Sequence, residues 1–168
     1  MKAKEILLAH GSGGQAMESL LKDLIFPRFQ NSSFARGEDC AIVTVAGLRL
    51  ALSTDTYVVD PLFFPGGDIG RLAINGTVND LSMRGATPLY ICLGLVLEEG
   101  LSIEILDRIL NSIEEAAQEA DVHIVSGDTK VVARGSVDKI FINTAGLGIV
   151  REGLNISIAN DQIGDQII

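Results

Sequence analysis

The sequence predicts an α+β domain, a mixed β-sheet with helices on one face. Helical and strand-like periodicities alternate irregularly along the chain, roughly helix, hairpin, helix, strand, helix, strand, strand, without the strict repeat of a parallel α/β fold. The run PLYICLGLVL is apolar almost throughout, as in a strand with a covered face. The 168 residues, 47% hydrophobic and 21% charged, suffice for one core of ordinary composition, with no repeat or low-complexity tract.

The first element is an amphipathic helix over 15–25, in which Met17, Leu20, Leu21 and Leu24 recur at helical spacing and Pro27 closes the segment. Strands over 41–45 and 48–53 follow, joined at Ala46-Gly47 as a tight hairpin, and the second leads straight into Asp55. VVDPLFFPGGD, broken by Pro61, Pro65 and two glycines, reads as a loop that brings Asp68 to the N-cap of a helix running to about Arg84. Residues 88–97 form a buried strand closed by Gly100. Ser102 is placed to cap a helix whose Ile103, Leu106, Leu110, Ile113 and Ala117 share one face while Glu104, Glu114, Glu115 and Glu119 turn to water. VHIV and KIFINTAGLGIV supply the last two strands.

Charge narrows the function classes. A net charge of -9 repels a nucleic-acid backbone, and no Lys/Arg cluster exceeds two residues, so a phosphate ligand requires a metal between it and the protein. Cys40 and Cys92 match no C-x-x-C spacing and read as small apolar residues of a reduced cytosolic protein. The apolar run before His10 is too short for a secretory signal, and no run approaches a membrane span, so a cytoplasmic location is expected.

The candidate site lies in the acids. Asp39 precedes a strand, Asp55 follows one, Asp80 lies in the small-residue helix NGTVNDLSMRGA, and Asp128 follows another strand in SGDTK. Hard divalent cations take carboxylate oxygens and, in nucleotide sites, share them with phosphates. Gly37, Gly76 and Gly127 beside these acids permit a close backbone approach, and Gly11, Gly13 and Gly14 of HGSGG suit a flexible flap. Taken singly, each has a plainer reading. Asp80 alone favours an i,i+4 pair with Arg84; Asp128 suits a turn, Asp39 a cap and Asp55 an Asx-turn. HGSGG lacks the Lys-Ser/Thr of a P-loop, His10 reads as a surface residue, and His123 as structural.

GEDCAIV, LSTDTYVVDPLFFPGGDIGRLAINGTVNDLSMRGATPLY, IVSGDTKVV and FINTAGLGIV, in that order and spacing and preceded by HGSGG, resemble the N-terminal half of the HypE family of hydrogenase maturation factors. That family sits within the PurM-like ATP-dependent group, with aminoimidazole ribonucleotide synthetase, selenophosphate synthetase and thiamine-monophosphate kinase. PLFFPGGDIG and SGDTKVV favour HypE within the group. The resemblance implies a PurM N-terminal-like fold in which strands of two subunits close a dimer barrel. It further implies that Asp39, Asp55, Asp80 and Asp128 line an ATP site and hold Mg²⁺, with Lys130 facing the phosphates or the substrate group and Asn79 and Thr129 orienting ligands.

The activity implied is an ATP-dependent carbamoyl dehydratase. HypF carbamoylates a C-terminal cysteine of HypE, ATP activates the carboxamide oxygen, and loss of phosphate leaves a thiocyanate that supplies the cyanide ligands of [NiFe]-hydrogenase; HypC and HypD are further partners. The expected organisation is an ATP-binding and dimerisation domain over 1–150, with a flap and helix over 1–37, then a linker and the start of a further domain over 151–168. Neither Cys40 nor Cys92 matches the acceptor cysteine, so the chain is expected to be an N-terminal fragment, inactive alone. Another PurM-like small-molecule kinase or synthetase, or a non-catalytic dimerisation module, are the alternatives.

Overall fold

The computed structural model describes residues 4–29 and 37–166, and the chain separates into two compact units, Met1–Glu38 and Asp39–Ile168. In the first unit a short 3-10 turn, Leu8–Gly11, precedes α1 (Gly14–Leu20), a π-turn (Leu21–Ile25) and α2 (Phe26–Phe29). Pro27 therefore does not close the helix as expected. It enters just after the π-turn, where the Phe26 N–H reaches back to Leu21, and so occupies a new first turn in which its missing donor costs least. His10 is buried rather than a surface residue, its Nδ1 accepting the Leu7 N–H at 2.9 Å.

The second unit opens with the hairpin of β1 (Ala41–Val45) and β2 (Leu48–Tyr57). Ala46 and Gly47 both take positive φ, 50° and 82°, as a two-residue turn matched to strand twist requires. The second strand runs on to Tyr57, so Asp55 lies within it rather than beyond it. A small ribbon of β3 (Phe63–Phe64) and β4 (Gly67–Asp68) delivers α3 (Ile69–Met83). As expected, Asp68 caps that helix, accepting the N–H groups of Gly70 and Arg71. Its second oxygen takes the Ser112 hydroxyl at 2.6 Å, tying the start of α3 to α4 (Ile103–Glu119), with β5 (Ala86–Glu98) between the two helices in the chain. Ser102 holds the cap position of α4, but its side chain makes no capping hydrogen bond.

With β6 (His123–Val132) and β7 (Ile140–Val150), five strands form a mixed sheet in the order β1-β2-β7-β5-β6. Only β5 and β6, joined through α4, run parallel. One face carries the helices: Ile69, Ile74, Ile109 and Ile113 from α3 and α4 pack with Ile91, Ile140 and Ile142 from the sheet. Alternation then leaves the other face open, so β5 is not covered on both sides as its apolar run suggested, and Tyr90 and Cys92 are exposed. SGDTK is no turn. Gly127 and Asp128 pair with Leu93 and Gly94 inside β6, and a Cβ at Gly127 would collide with the Leu93 carbonyl, so the glycine serves strand pairing.

After β7, guanidinium groups of Arg49 and Arg84 bind the carbonyls of Leu154 and Ile156, and a 3-10 turn spans Ile158–Asn160. The described part of 151–166 holds no strand. Among the described residues no helix is long and apolar enough to cross a membrane.

The loop between β6 and β7 is held by Glu98, whose carboxylate accepts the N–H groups of Gly135 at 2.6 Å and Lys139 at 3.2 Å. The Gly135 bond, more than any other contact, draws the Glu98 carboxyl below its ordinary value. A depressed carboxyl stabilises the fold above its ordinary value, and that contribution is lost as pH falls through the folded-state value. The Gly135 amide shift, followed by NMR during acid titration, is expected to show a midpoint below 4.5. A midpoint at or above that value would contradict the role of Glu98.

Candidate functional site

Asp80 lies in the last turn of α3, on the side facing β2. The helix comes close there because Ala73, Gly76 and Thr77 present little bulk; a Cβ on Gly76 would run into the Tyr57 hydroxyl. Asp80 Oδ2 accepts the Ser53 hydroxyl at 2.9 Å. The same Ser53 Oγ sits 3.3 Å from the Asp39 carbonyl oxygen, since β1 pairs with β2 and brings Asp39 alongside. Asp55 is two residues further along β2, hence on the same face as Ser53, and its Oδ1 takes the Thr56 N–H.

The electrostatics follow from this convergence. Burial raises the Asp80 carboxyl above its ordinary value; the Ser53 hydrogen bond opposes the rise, and the negative charges of Asp39 and Asp55 add to it. Two of the acids singled out in the sequence, Asp39 and Asp55, thus both act on a third, Asp80. Among the described residues no group of three His, Cys, Asp or Glu side chains could by itself hold a metal ion. The donor set still suits a hard cation: Mg²⁺ keeps several waters and takes one or two carboxylates plus phosphate oxygens, and mutually repelling carboxylates are relieved by a cation between them.

The remaining candidates fall elsewhere. Asp128, Thr129 and Lys130 are exposed on β6, three strands from β2 in the sheet, which is roughly 14 Å at ordinary strand spacing. Lys130 therefore follows no turn. Asn79 is exposed beside Asp80 on α3. Gly11, Gly13 and Gly14 belong to the N-terminal unit, the latter two with positive φ.

Three hydroxyls escaped the sequence reading. Tyr57 on β2, Thr77 on α3 and Thr144 on β7 form a buried chain, Tyr57 Oη lying 3.2 Å from Thr77 Oγ1, which in turn bonds Thr144 Oγ1. Burial pushes the Tyr57 phenol up. Ser53 had a signal, since strand alternation aligns it with Asp55 and Tyr57; Thr77 and Thr144 had none.

Residues 37–150 match the family described as AIR synthase related protein, N-terminal domain. The chain belongs to this family. Within it, the carbamoyl dehydratase HypE of Bradyrhizobium diazoefficiens is 50% identical over 161 residues, covering 96% of this chain and 46% of that protein. The chain thus spans about half the length of the curated relatives it matches. A crystal structure of a HypE–HypF complex superimposes with a TM-score of 0.80 at 51% identity, over 86% of this chain and 46% of that one. HypE crystallised in complex with ATP gives 0.61 at 53% identity, over 88% and 44%. The expected likeness to HypE and the α+β, PurM-like fold are borne out by these matches and by the mixed sheet.

A carboxyl raised on folding is harder to ionise in the folded chain, so its ionised form costs stability at neutral pH, and the cost fades as pH falls through the raised folded-state value and is gone below the ordinary value of 3.8. Metal-free Asp80→Asn is therefore expected to melt above the wild type at pH 7, with the gain shrinking towards pH 3. A lower Tm at pH 7 would show that the ionised carboxylate is needed to hold the fold.

Proposed function

We propose that this chain provides the nucleotide site of a HypE-type carbamoyl dehydratase, which converts a cysteine S-carboxamide to a thiocyanate for the cyanide ligands of [NiFe]-hydrogenase. The observation that carries the reading is the Asp39–Ser53–Asp80 contact with Asp55 on the same face, in a chain half identical to carbamoyl dehydratases and similar to a protein crystallised with ATP. In the overall reaction the carboxamide oxygen leaves as phosphate and ATP becomes ADP.

Asp39, Asp55 and Asp80 would hold Mg²⁺, with phosphate oxygens completing the set. Bound there, Mg²⁺ neutralises charge that develops on the transferred phosphoryl group. Ser53 donates to Asp80 and fixes which of its oxygens stays free to point at a ligand. Asn79 orients phosphate from the neighbouring helix position, and Lys130 and Thr129 offer a cation and a hydroxyl from β6. HypF, which a related HypE binds in a crystal structure, is the matching source of the carbamoyl group, with HypC and HypD as further partners. Neither Cys40, which is buried, nor Cys92, which lies within β5, is assigned the acceptor role.

The open sheet face supports a C2 homodimer, the proposed dimer barrel. Leu48, Leu52, Tyr90 and Ile149 are exposed on it, too much apolar surface to leave to water. A two-fold arrangement that reverses the strand order sets β6 of one copy against the β1–β2 end of the other. Asp128 of one subunit would then join the three acids of its partner, which answers the separation of Asp128 from them within one chain.

Calorimetry is expected to show Mg²⁺-dependent ATP binding to this chain, weakened about tenfold or more by Asp80→Asn, an effect of about 1.4 kcal/mol. Binding without Mg²⁺ dependence, or unchanged by the substitution, would remove Asp80 from the site. Sedimentation should show a dimer at micromolar concentration and a monomer for Leu52→Asp; a wild-type monomer would count against the barrel.

A further inference from the structure

We propose that the buried hydroxyl chain Tyr57–Thr77–Thr144 is a positioning device, setting where α3 sits against β2 and β7 and so where Asp80 meets Ser53, Asp39 and Asp55. It rests on the nucleotide-site reading above and adds residues that reading does not use.

Thr77 and Thr144 are fully buried and Tyr57 nearly so, and the chain crosses a layer otherwise built from Ile74, Leu81 and Ile142. Valine has the shape of threonine, and phenylalanine that of tyrosine, so packing alone does not call for these hydroxyls; burying them costs free energy that hydrogen bonds must offset. Their placement supplies the reason. Thr77 lies three residues before Asp80 and on the same side of α3. Tyr57 lies two residues after Asp55 and on the same face of β2, and Thr144 stands directly opposite Asp55 in the β2–β7 ladder.

A Cβ on Gly76 would collide with the Tyr57 hydroxyl, and one on Gly146 with the Thr77 methyl, so two members of the hydroxyl chain occupy the space the glycines leave between helix and sheet. A shift of one residue along a helix is about 1.5 Å with a rotation of roughly 100°, enough to carry Asp80 away from Ser53, whereas a hydrogen bond tolerates a few tenths of an ångström. Directional bonds from two strands to one helix residue resist a slide that apolar contact alone would permit.

The test uses the whole chain. Mn²⁺ binding in the presence of the non-hydrolysable analogue AMP-PNP is read by electron paramagnetic resonance, and the metal-free amide shifts of Ser53 and Asp80 by NMR. Thr77→Val and Thr144→Val are each expected to fold, to displace both amide signals and to weaken Mn²⁺ binding about tenfold, whereas Thr77→Ser, which restores the hydroxyl, stays within about twofold of wild type. Tyr57→Phe removes only an oxygen and carries the test if the valine variants fail to fold; a loss of about threefold or more is expected. Valine and phenylalanine variants that bind like wild type would overturn the proposal while leaving the nucleotide site intact. An equal loss for Thr77→Ser and Thr77→Val would assign the effect to shape and overturn it as well. A wild-type chain that binds no Mn²⁺-nucleotide would bring down the nucleotide-site reading and this proposal with it.

Discussion

The close approach of α3 to β2 and β7 is the constraint on which the site depends. It is made by omission: Gly76, Ala73 and Gly146 withdraw bulk so that the helix backbone lies near the sheet. That proximity brings Asp80 within hydrogen-bonding distance of Ser53 and, through Ser53, to the Asp39 segment. A larger residue at Gly76 or Gly146 must displace Tyr57, Thr77 or Leu81, the side chains that separate the acids from the core. Stability and site geometry are therefore properties of one interface.

The interface also explains an unfavourable arrangement. A carboxylate raised by burial and by two like-charged neighbours is a cost to the metal-free fold. Such a cost persists where the surrounding structure holds the groups in place, and a cation that relieves the repulsion recovers that part of it on binding. The overall negative charge has the same sense: without an intervening cation the chain repels a polyphosphate.

Local chemistry was legible in the sequence and long-range pairing was not. The Asp68 cap, the Ala46-Gly47 hairpin and the amphipathic α4 each depend on residues within a few positions, and each formed, although on α4 Ile113 and Ala117 are buried as read while Ile103 and Leu110 are exposed. Pro27 was misread because a π-turn ahead of it moved the proline into a first turn. SGDTK carries turn residues, yet parallel pairing with β5 absorbed it into a strand, and the same pairing decides that Asp128 lies at the far edge from Asp55. The convergence of Asp39, Asp55 and Asp80 was anticipated from the likeness to HypE, and strand alternation aligned Ser53 with Asp55 without naming its partner. Thr77 and Thr144 carry no such signal, since a hydroxyl in an apolar stripe looks like a surface residue until its partner on another element is known.

A site shared between two copies makes a demand that a site within one chain does not. Mixing separately prepared Asp80→Asn and Asp128→Asn chains under conditions that exchange subunits creates mixed dimers. If Asp128 of one subunit completes the acids of the other, every mixed dimer contains one site with both carboxylates intact. Mg²⁺-dependent ATP binding, weak for each variant alone, should then return to about one mole per mole of mixed dimer formed, half that of a wild-type dimer. No gain on mixing, with subunit exchange verified by mass spectrometry, would contradict a nucleotide site built from α3 and β2 of one copy and β6 of the other.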